Sequence, residues 1–295
     1  MSEQRYLDPK NDVAFKKLFE DKTRLMSFLN SVLHLKNDRS IIDLDYLPQE
    51  AAPLLPGYKK GIMDVRCKDQ AGHQFLVEMQ KDYVVEFLQR VQFYGAYAYV
   101  SQIAKGTPHL QLKDVVVLAV VNYTIFQDHD ICVNFYEMRN RETHDNELNS
   151  ISYAFIELPK FKKSKEECKT VEEEWIYTLK NAQEELTPPF KDEVLLDAYD
   201  ILERYNWDQL AYESYLATKI STDEQAATQS EKYEKGLEDG LLKAAKMMLE
   251  LGISIDVIVE KTGLSKKLLK NPLADLIGID KGRYTTDEVM KLTRE

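Results

Sequence analysis

From Asn11 to about Leu33, apolar residues such as Phe15, Leu18, Phe19, Leu25, Phe28 and Val32 recur at three- and four-residue steps. That spacing predicts one amphipathic helix, with Asp8, Pro9 and Asn11 as start signals just ahead of it. Further on, GIMDVRCK (61–68) and HQFLVEMQ (73–80) flank the turn-forming cluster Asp69-Gln70-Ala71-Gly72, which predicts a β-hairpin. An aromatic helix follows over 84–104, then VVVLAVVNYTIF from Val115, an apolar run of the kind buried inside a sheet, then a strand in ISYAFIELPK, 151–160. The order helix, strands, helix, strand predicts an α/β fold, a mixed central sheet flanked by helices.

Beyond Pro159 the pattern turns helical in TVEEEWIYTLKNA, KDEVLLDAYDILERY and WDQLAYESYLATK, which complete a first domain, 1–220. STDEQAATQSEK, 221–232, is polar and nearly free of large apolar groups, and marks the boundary. The remainder, 221–295, reads as a helical C-terminal extension. Leu237, Leu241, Ala245, Met248 and Leu251 form one stripe ending at Gly252. SIDVIVEKTGLSKKLL then predicts two short helices about Thr262-Gly263, resembling a helix-turn-helix. A helical pair of this size serves oligomerisation, packing or DNA reading, and a homo-oligomer through these helices is the expectation.

The length, 295 residues, exceeds what one typical core needs, and 44% hydrophobic residues against 30% charged exclude global disorder. The longest aliphatic run, Val115–Val121, is far short of the roughly 20 residues that cross a bilayer. MSEQRYLDPK has neither a basic start nor an apolar core, so no secretory signal is read and the cytoplasm is expected. Three cysteines, Cys67, Cys132 and Cys168, with no CxxC spacing, fit a reducing compartment.

A net charge of −11 argues at first against nucleic acid. The acidity is local, however. Residues 1–110 carry 15 basic and 14 acidic groups, 111–230 carry 12 and 24, and 231–295 carry 12 and 12. Lys10, Lys16, Lys17, Arg66, Lys81 and Arg90, with the Lys59/Lys60 pair, can gather a basic surface on the N-terminal module.

Strand periodicity puts Ile62, Asp64 and Arg66 on one face of the first hairpin strand, and Leu76, Glu78 and Gln80 on one face of the second. In the natural register Asp64 and Glu78 converge. Set among Met63, Val65, Val77 and Met79, two such acids repel and resist ionisation, and a cation relieves both effects. Oxygen ligands of this kind suit Mg²⁺ or Mn²⁺, which bridge carboxylates to phosphate oxygens. The bland alternative is an exposed sheet face on which both acids are solvated.

DPKNDVAFKKLF, the FLNSVL that follows, GIMDVRC, GHQFLVEMQ and RVQFYGAYAYVSQIAKG occur in order over roughly 5–125. Together they resemble the Rpn family, a recombination-promoting nuclease and transposase group within the PD-(D/E)XK superfamily. GLEDG and LGISIDVIVEKTGLS look like that family's tail. The resemblance implies a restriction-endonuclease-like core and an endonuclease that cuts DNA with a divalent metal, Mg²⁺ or Mn²⁺. In that pattern Asp64 and Glu78 are the metal-binding acids of the two catalytic strands, and the Met79 carbonyl is a further ligand.

Gln80 stands where most of the superfamily carries lysine. An amide can orient the attacking water but contributes no full charge, so the metal must do more. Lys81 is a stand-in on the opposite face. Asp12 matches an acid on the first helix that approaches the metal through water, with helix N-terminal charge complementarity as the alternative. Arg90 and Tyr94, four residues apart on one helix face, are expected at the DNA, Arg90 gripping the scissile phosphate and Tyr94 packing nearby. Lys16 and Lys17 are expected as phosphate positioners.

Asp128-His129-Asp130 and His144 read as an ordinary polar loop, and no GxGxxG, Walker loop or GxSxG occurs, so no nucleotide cofactor is expected. The leading expectation is a metal-dependent DNA endonuclease tied to recombination, mobile elements or defence. Its rival, motivated by Gln80 and the acidic middle, is a catalytically weakened nuclease fold that binds DNA or assembles.

Overall fold

Asn11 and Asp21 decide how the N-terminal segment folds. In the computed structural model, which describes residues 4–51, 61–103 and 108–265, the Asn11 side chain accepts from the N–H groups of Val13 and Ala14 and starts α1 (Asp12–Leu18). Asp21 accepts from Thr23 and Arg24 and starts α2 (Lys22–Val32). The single helix expected over 11–33 is therefore two. A carboxylate at Asp21 satisfies orphan N–H donors better as an N-cap than it would inside a continuous helix.

The strands β1 (Leu44–Tyr46), β2 (Glu50–Ala51), β3 (Gly61–Ile62), β4 (Val65–Asp69) and β5 (Gln74–Gln80) precede α3 (Phe87–Val100). β6 (Val115–Val121), β7 (Val133–Tyr136) and β8 (Ile151–Glu157) follow, then α4 (Val171–Asn181), α5 (Glu193–Leu202), α6 (Gln209–Glu250) and α7 (Ile255–Thr262). The main sheet has the order β1-β4-β5-β6-β8-β7. β5, β6 and β8 run parallel to their neighbours among themselves, and the outer pairings are antiparallel. The hairpin turn falls on Asp69-Gln70-Ala71-Gly72, where Gly72 takes φ 89, open to glycine at little cost.

Alternation along β6 shows how the sheet is filled on both sides. Val115, Val117, Ala119 and Val121 pack under α3 with Phe87 and Val91, while Leu118 and Val120 face α1, α2, α4 and α5. On that second side Phe15, Phe19, Phe28 and Trp175 are fully buried, Phe19 stacked on Phe28 and the Phe15–Phe19 and Phe28–Trp175 pairs edge-on. Each such side chain stabilises the fold by about 1.5–3 kcal/mol through its removal from water. α3 sits close to the sheet because position 95 is glycine: a Cβ there would meet Val117 Cγ2 at 3.1 Å and Ile151 Cγ2 at 3.2 Å.

The chain divides into two compact units, 1–221 and 222–295. The polar stretch 221–232 is helical throughout, inside α6, since its Ala, Gln and Glu are adequate helix formers and a polar helix needs no buried face when solvated. In the second unit Ala245 is buried with Ile258 and Leu264, and α7 ends at Gly263 in the left-handed conformation. The helix expected after that turn, and the Lys59/Lys60 pair, lie outside the described residues. Among the described residues no helix is long and apolar enough to cross a membrane.

Candidate active site

β4 does not begin where the sequence periodicity puts it. The strand expected over 61–68 is interrupted at Met63 and Asp64, with β3 ending at Ile62 and β4 starting at Val65. Strict alternation would send Met63 and Val65 to the same face, yet Met63 is buried under α3 and Val65 on the opposite side. The chain thus turns at Asp64. Asp64 does not share a strand face with Arg66 as expected; its carboxylate lies where β4 leaves the ladder. There Oδ2 accepts the N–H of Met79 at 2.7 Å. The backbone on either side is fixed by Gln49, whose Nε2 donates to the Asp64 carbonyl at 2.7 Å and whose carbonyl accepts from Met63 N–H.

Glu78 answers from β5. Val65 pairs with Val77, so Asp64 stands opposite Glu78, and the Asp64 N–H donates to Glu78 Oε2 at 3.2 Å. Each acid therefore accepts a main-chain N–H from the other strand, and the two carboxylates meet at the split between β4 and β5. A strand residue sends its N–H and C=O to the same side, so the Met79 carbonyl faces the same opening.

Glu78 is buried, at 7% exposure, and Asp64 is partly buried. Burial pushes the Glu78 carboxyl up to about 8, the negative charge of Asp64 adds to the rise, and Arg90 opposes it. Burial also pushes Asp64 up, to about 6, against the Met79 N–H that favours its charged form. The pair is short of positive charge.

Two cations supply part of it, from opposite layers. Lys16 on α1 places Nζ 2.7 Å from Asp12 Oδ1 and 3.5 Å from Asp64 Oδ1. Arg90 on α3, stacked on the Phe87 ring, places Nη2 3.7 Å from Glu78 Oε1 and donates to Gln80 Oε1. Gln80 in turn donates Nε2 to the Asp82 carbonyl. One guanidinium nitrogen, Nη2, thus meets both Gln80 and Glu78, while Arg90 Nε is buried with no hydrogen-bond partner, and the Gln80 amide is engaged at both ends.

The remaining expected residues divide. Asp12 reaches the site, interacting with Asp64 and bonded to Lys16. Tyr94 packs into the cluster beneath α3 beside Phe93. Lys17 turns to the Trp207 ring, 5.2 Å away, and the structure does not bring it to the acids. Among the described residues no group of three or more His, Cys, Asp and Glu side chains is poised to hold a metal, so Asp128, His129, Asp130 and His144 assemble none.

Two residues escaped the sequence reading. Tyr123, just past β6, packs edge-on against Tyr83 and Phe87, and its hydroxyl is buried without a partner. The parallel register Gln80↔Val121 brings it beside the end of β5, a placement readable once β6 is laid along β5. Glu157, at 0% exposure, accepts from Ile125 N–H, Phe126 N–H, Asn134 Nδ2 and Lys160 Nζ. Its partners fully satisfy it, and it ties the loop before β7 to β7 itself.

The donor set fits a hard divalent ion. Two carboxylates and a carbonyl are all oxygen, and an Mg²⁺ or Mn²⁺ site needs only one or two carboxylates when water and substrate phosphate complete the shell. A cavity of about 210 Å³ opens beside Asp64, lined also by Lys16, Glu20, Tyr46, Gln49 and Arg66. The larger cavity, about 410 Å³ between Leu88, Phe126, Tyr136 and Phe155, is apolar and holds none of this chemistry.

Searches of curated proteins and of solved structures return no match. The family model described as PD-(D/E)XK nuclease family transposase matches residues 9–231. That span includes α1, both hairpin acids and the whole six-stranded sheet. With a mixed sheet flanked by helices and an acid pair at the mouth of its hairpin, the chain belongs to the PD-(D/E)XK nuclease family transposases.

Proposed function

We propose that this chain is a metal-dependent DNA endonuclease that hydrolyses a phosphodiester by in-line attack of water. One observation carries the reading: Asp64 and Glu78 meet at the split between two strands, each bonded to the other's backbone and both short of positive charge. Asp64, Glu78 and the Met79 carbonyl would hold Mg²⁺ or Mn²⁺, which when bound lowers the pKa of its water and neutralises charge on the phosphate. Asp12 stands behind them on α1.

The residues of the chain then divide the other tasks. Arg90 brings a fixed charge beside Gln80, so the lysine missing from position 80 is offset from α3. By holding Gln80 Oε1, Arg90 fixes the orientation of the amide, which can then direct a water. Lys16 approaches from α1. Three free cysteines suit the cytoplasm as the compartment.

The test is plasmid nicking with Mg²⁺, Mn²⁺ or Ca²⁺ by the full chain and by Asp64→Ala and Glu78→Ala. The reading expects cleavage with the first two ions and its loss in both variants; equal activity in the variants would discard it. A second reading, a weakened nuclease that binds DNA or assembles, is favoured by the engagement of Gln80 at both ends. Salt-dependent DNA binding with no metal-dependent product would select it.

We also propose self-association through the C-terminal helices. Tyr233, Leu237, Met247 and Val257 there are exposed apolar residues. Light scattering on the full chain and on a chain ending at Ile220 tests this, with an unchanged number of chains per particle counting against it.

A further inference from the structure

Lys16 stands on the atom that a divalent ion needs. Of the two Asp64 oxygens, Oδ2 is committed to the Met79 N–H, while Oδ1 faces the Lys16 ammonium at 3.5 Å. The ammonium is held more closely by Asp12, 2.7 Å away and one helical turn earlier on the same helix. The ammonium thus lies between two carboxylates, Asp12 and Asp64. The Lys16 side chain remains 30% exposed and lines the cavity beside Asp64, which leaves it room to move.

We propose that Lys16 is a tethered counter-ion of Asp64, displaced when the metal binds, and that the displaced ammonium, still held by Asp12, takes a phosphate of the DNA. This rests on the reading that Asp64 and Glu78 hold a divalent ion. A divalent ion at Oδ1 is repelled by the Lys16 ammonium in this partly buried site, because their repulsion there is screened far less than in water. Metal binding by the free protein therefore includes the cost of removing Lys16 from its partner. DNA offers the ammonium a new partner and reduces that cost. Metal and DNA then each favour the binding of the other, by the same factor.

The experiment is calorimetric titration of Mn²⁺ into the full chain without DNA, comparing wild type, Lys16→Met, Lys16→Ala and Lys16→Arg, with thermal melts confirming that each is folded. A fifth chain, Lys16→Met with Asp12→Asn, removes the carboxylate that the first substitution leaves unpaired. The proposal expects Mn²⁺ to bind roughly tenfold tighter or more when the charge is removed, in the double variant also, with Lys16→Arg close to wild type. Repeating the titration with a non-cleavable duplex should raise the affinity of wild type and change the neutral variants much less. Equal Mn²⁺ affinities in wild type and the neutral variants would overturn it, as would an equal DNA effect in all of them. Because the readout is metal affinity, a chain that binds Mn²⁺ and cuts no DNA would count against the endonuclease reading alone. Equal affinities in a chain that does cut DNA would count against this inference alone.

Discussion

The main-chain N–H of Asp64 donates to Glu78 Oε2 at 3.2 Å, across the point where β4 peels away from β5. With the Asp64 carboxylate on the Met79 N–H, the exchange holds two acids together that would otherwise repel. The hydrogen bonds make the approach tolerable, and Lys16 and Arg90 offset part of the charge. What remains uncompensated is what a divalent ion would supply.

Such a site is built at the expense of stability, and substitution should reveal that. Glu78→Gln removes a charge that burial and Asp64 disfavour, and it keeps an oxygen for the Asp64 N–H. We expect an unchanged or higher melting temperature together with a loss of cleavage of about 100-fold or more. Thermal denaturation beside a nicking assay measures both. A clear drop in melting temperature would mean that the carboxylate serves the fold.

The pH dependence of stability follows from the same burial. Glu78 titrates near 8 in the folded chain against an ordinary 4.5, so between those values the native state binds more protons than the unfolded one. Stability therefore falls as pH rises through that window, and Asp64, raised to about 6, adds to the fall over its lower part. Melting curves from pH 5 to about 8.5 without metal should show a decline that saturating Mg²⁺ reduces and Glu78→Gln flattens. A rise with pH would contradict the assignment.

Glu157 offers the contrasting case of a buried acid whose work is structural. It is fully buried and accepts from four donors, among them Lys160 at 2.8 Å. Glu157→Ala should cost about 3–5 kcal/mol in urea denaturation, because it leaves the buried Lys160 ammonium without its counter-charge and two N–H groups unpaired. A loss below about 1 kcal/mol would show that the loop re-forms its bonds elsewhere.

Gly95→Ala tests the seating of α3, which carries Arg90. Alanine favours a helix by up to about 1 kcal/mol, but its methyl would press on Val117, Ile151 and Tyr153 at 3.1–3.2 Å. Crowding of that kind costs about 1–3 kcal/mol, so net destabilisation is expected by chemical denaturation. A more stable variant would mean that α3 can lift from the sheet freely.

Much of this was legible in the residues. The turn at Asp69-Gly72 and the alternation on either side set the hairpin, and register alone then put Asp64 opposite Glu78. The run Val115–Val121 declared a strand buried on both faces. Other features were hidden by their physics. Asp21 starts a second helix where periodicity would continue the first, and a cap competes with spacing at a level that spacing does not record. β1 and β7, three and four residues long, are too short for alternation to distinguish. The turn at Asp64 depends on Gln49, fifteen residues away, and the satisfaction of Glu157 depends on N–H groups in a distant loop. The mutual contact of Arg90 and Gln80 is a product of how α3 crosses β5, which neither residue's spacing records.

The most direct measurement is the anomalous difference density of crystals soaked in Mn²⁺, collected for the full chain and for Asp64→Ala. The proposed function requires a single strong peak bounded by Asp64, Glu78 and the Met79 carbonyl, absent from the variant. Mn²⁺ bound elsewhere, or still at the hairpin without Asp64, would contradict it.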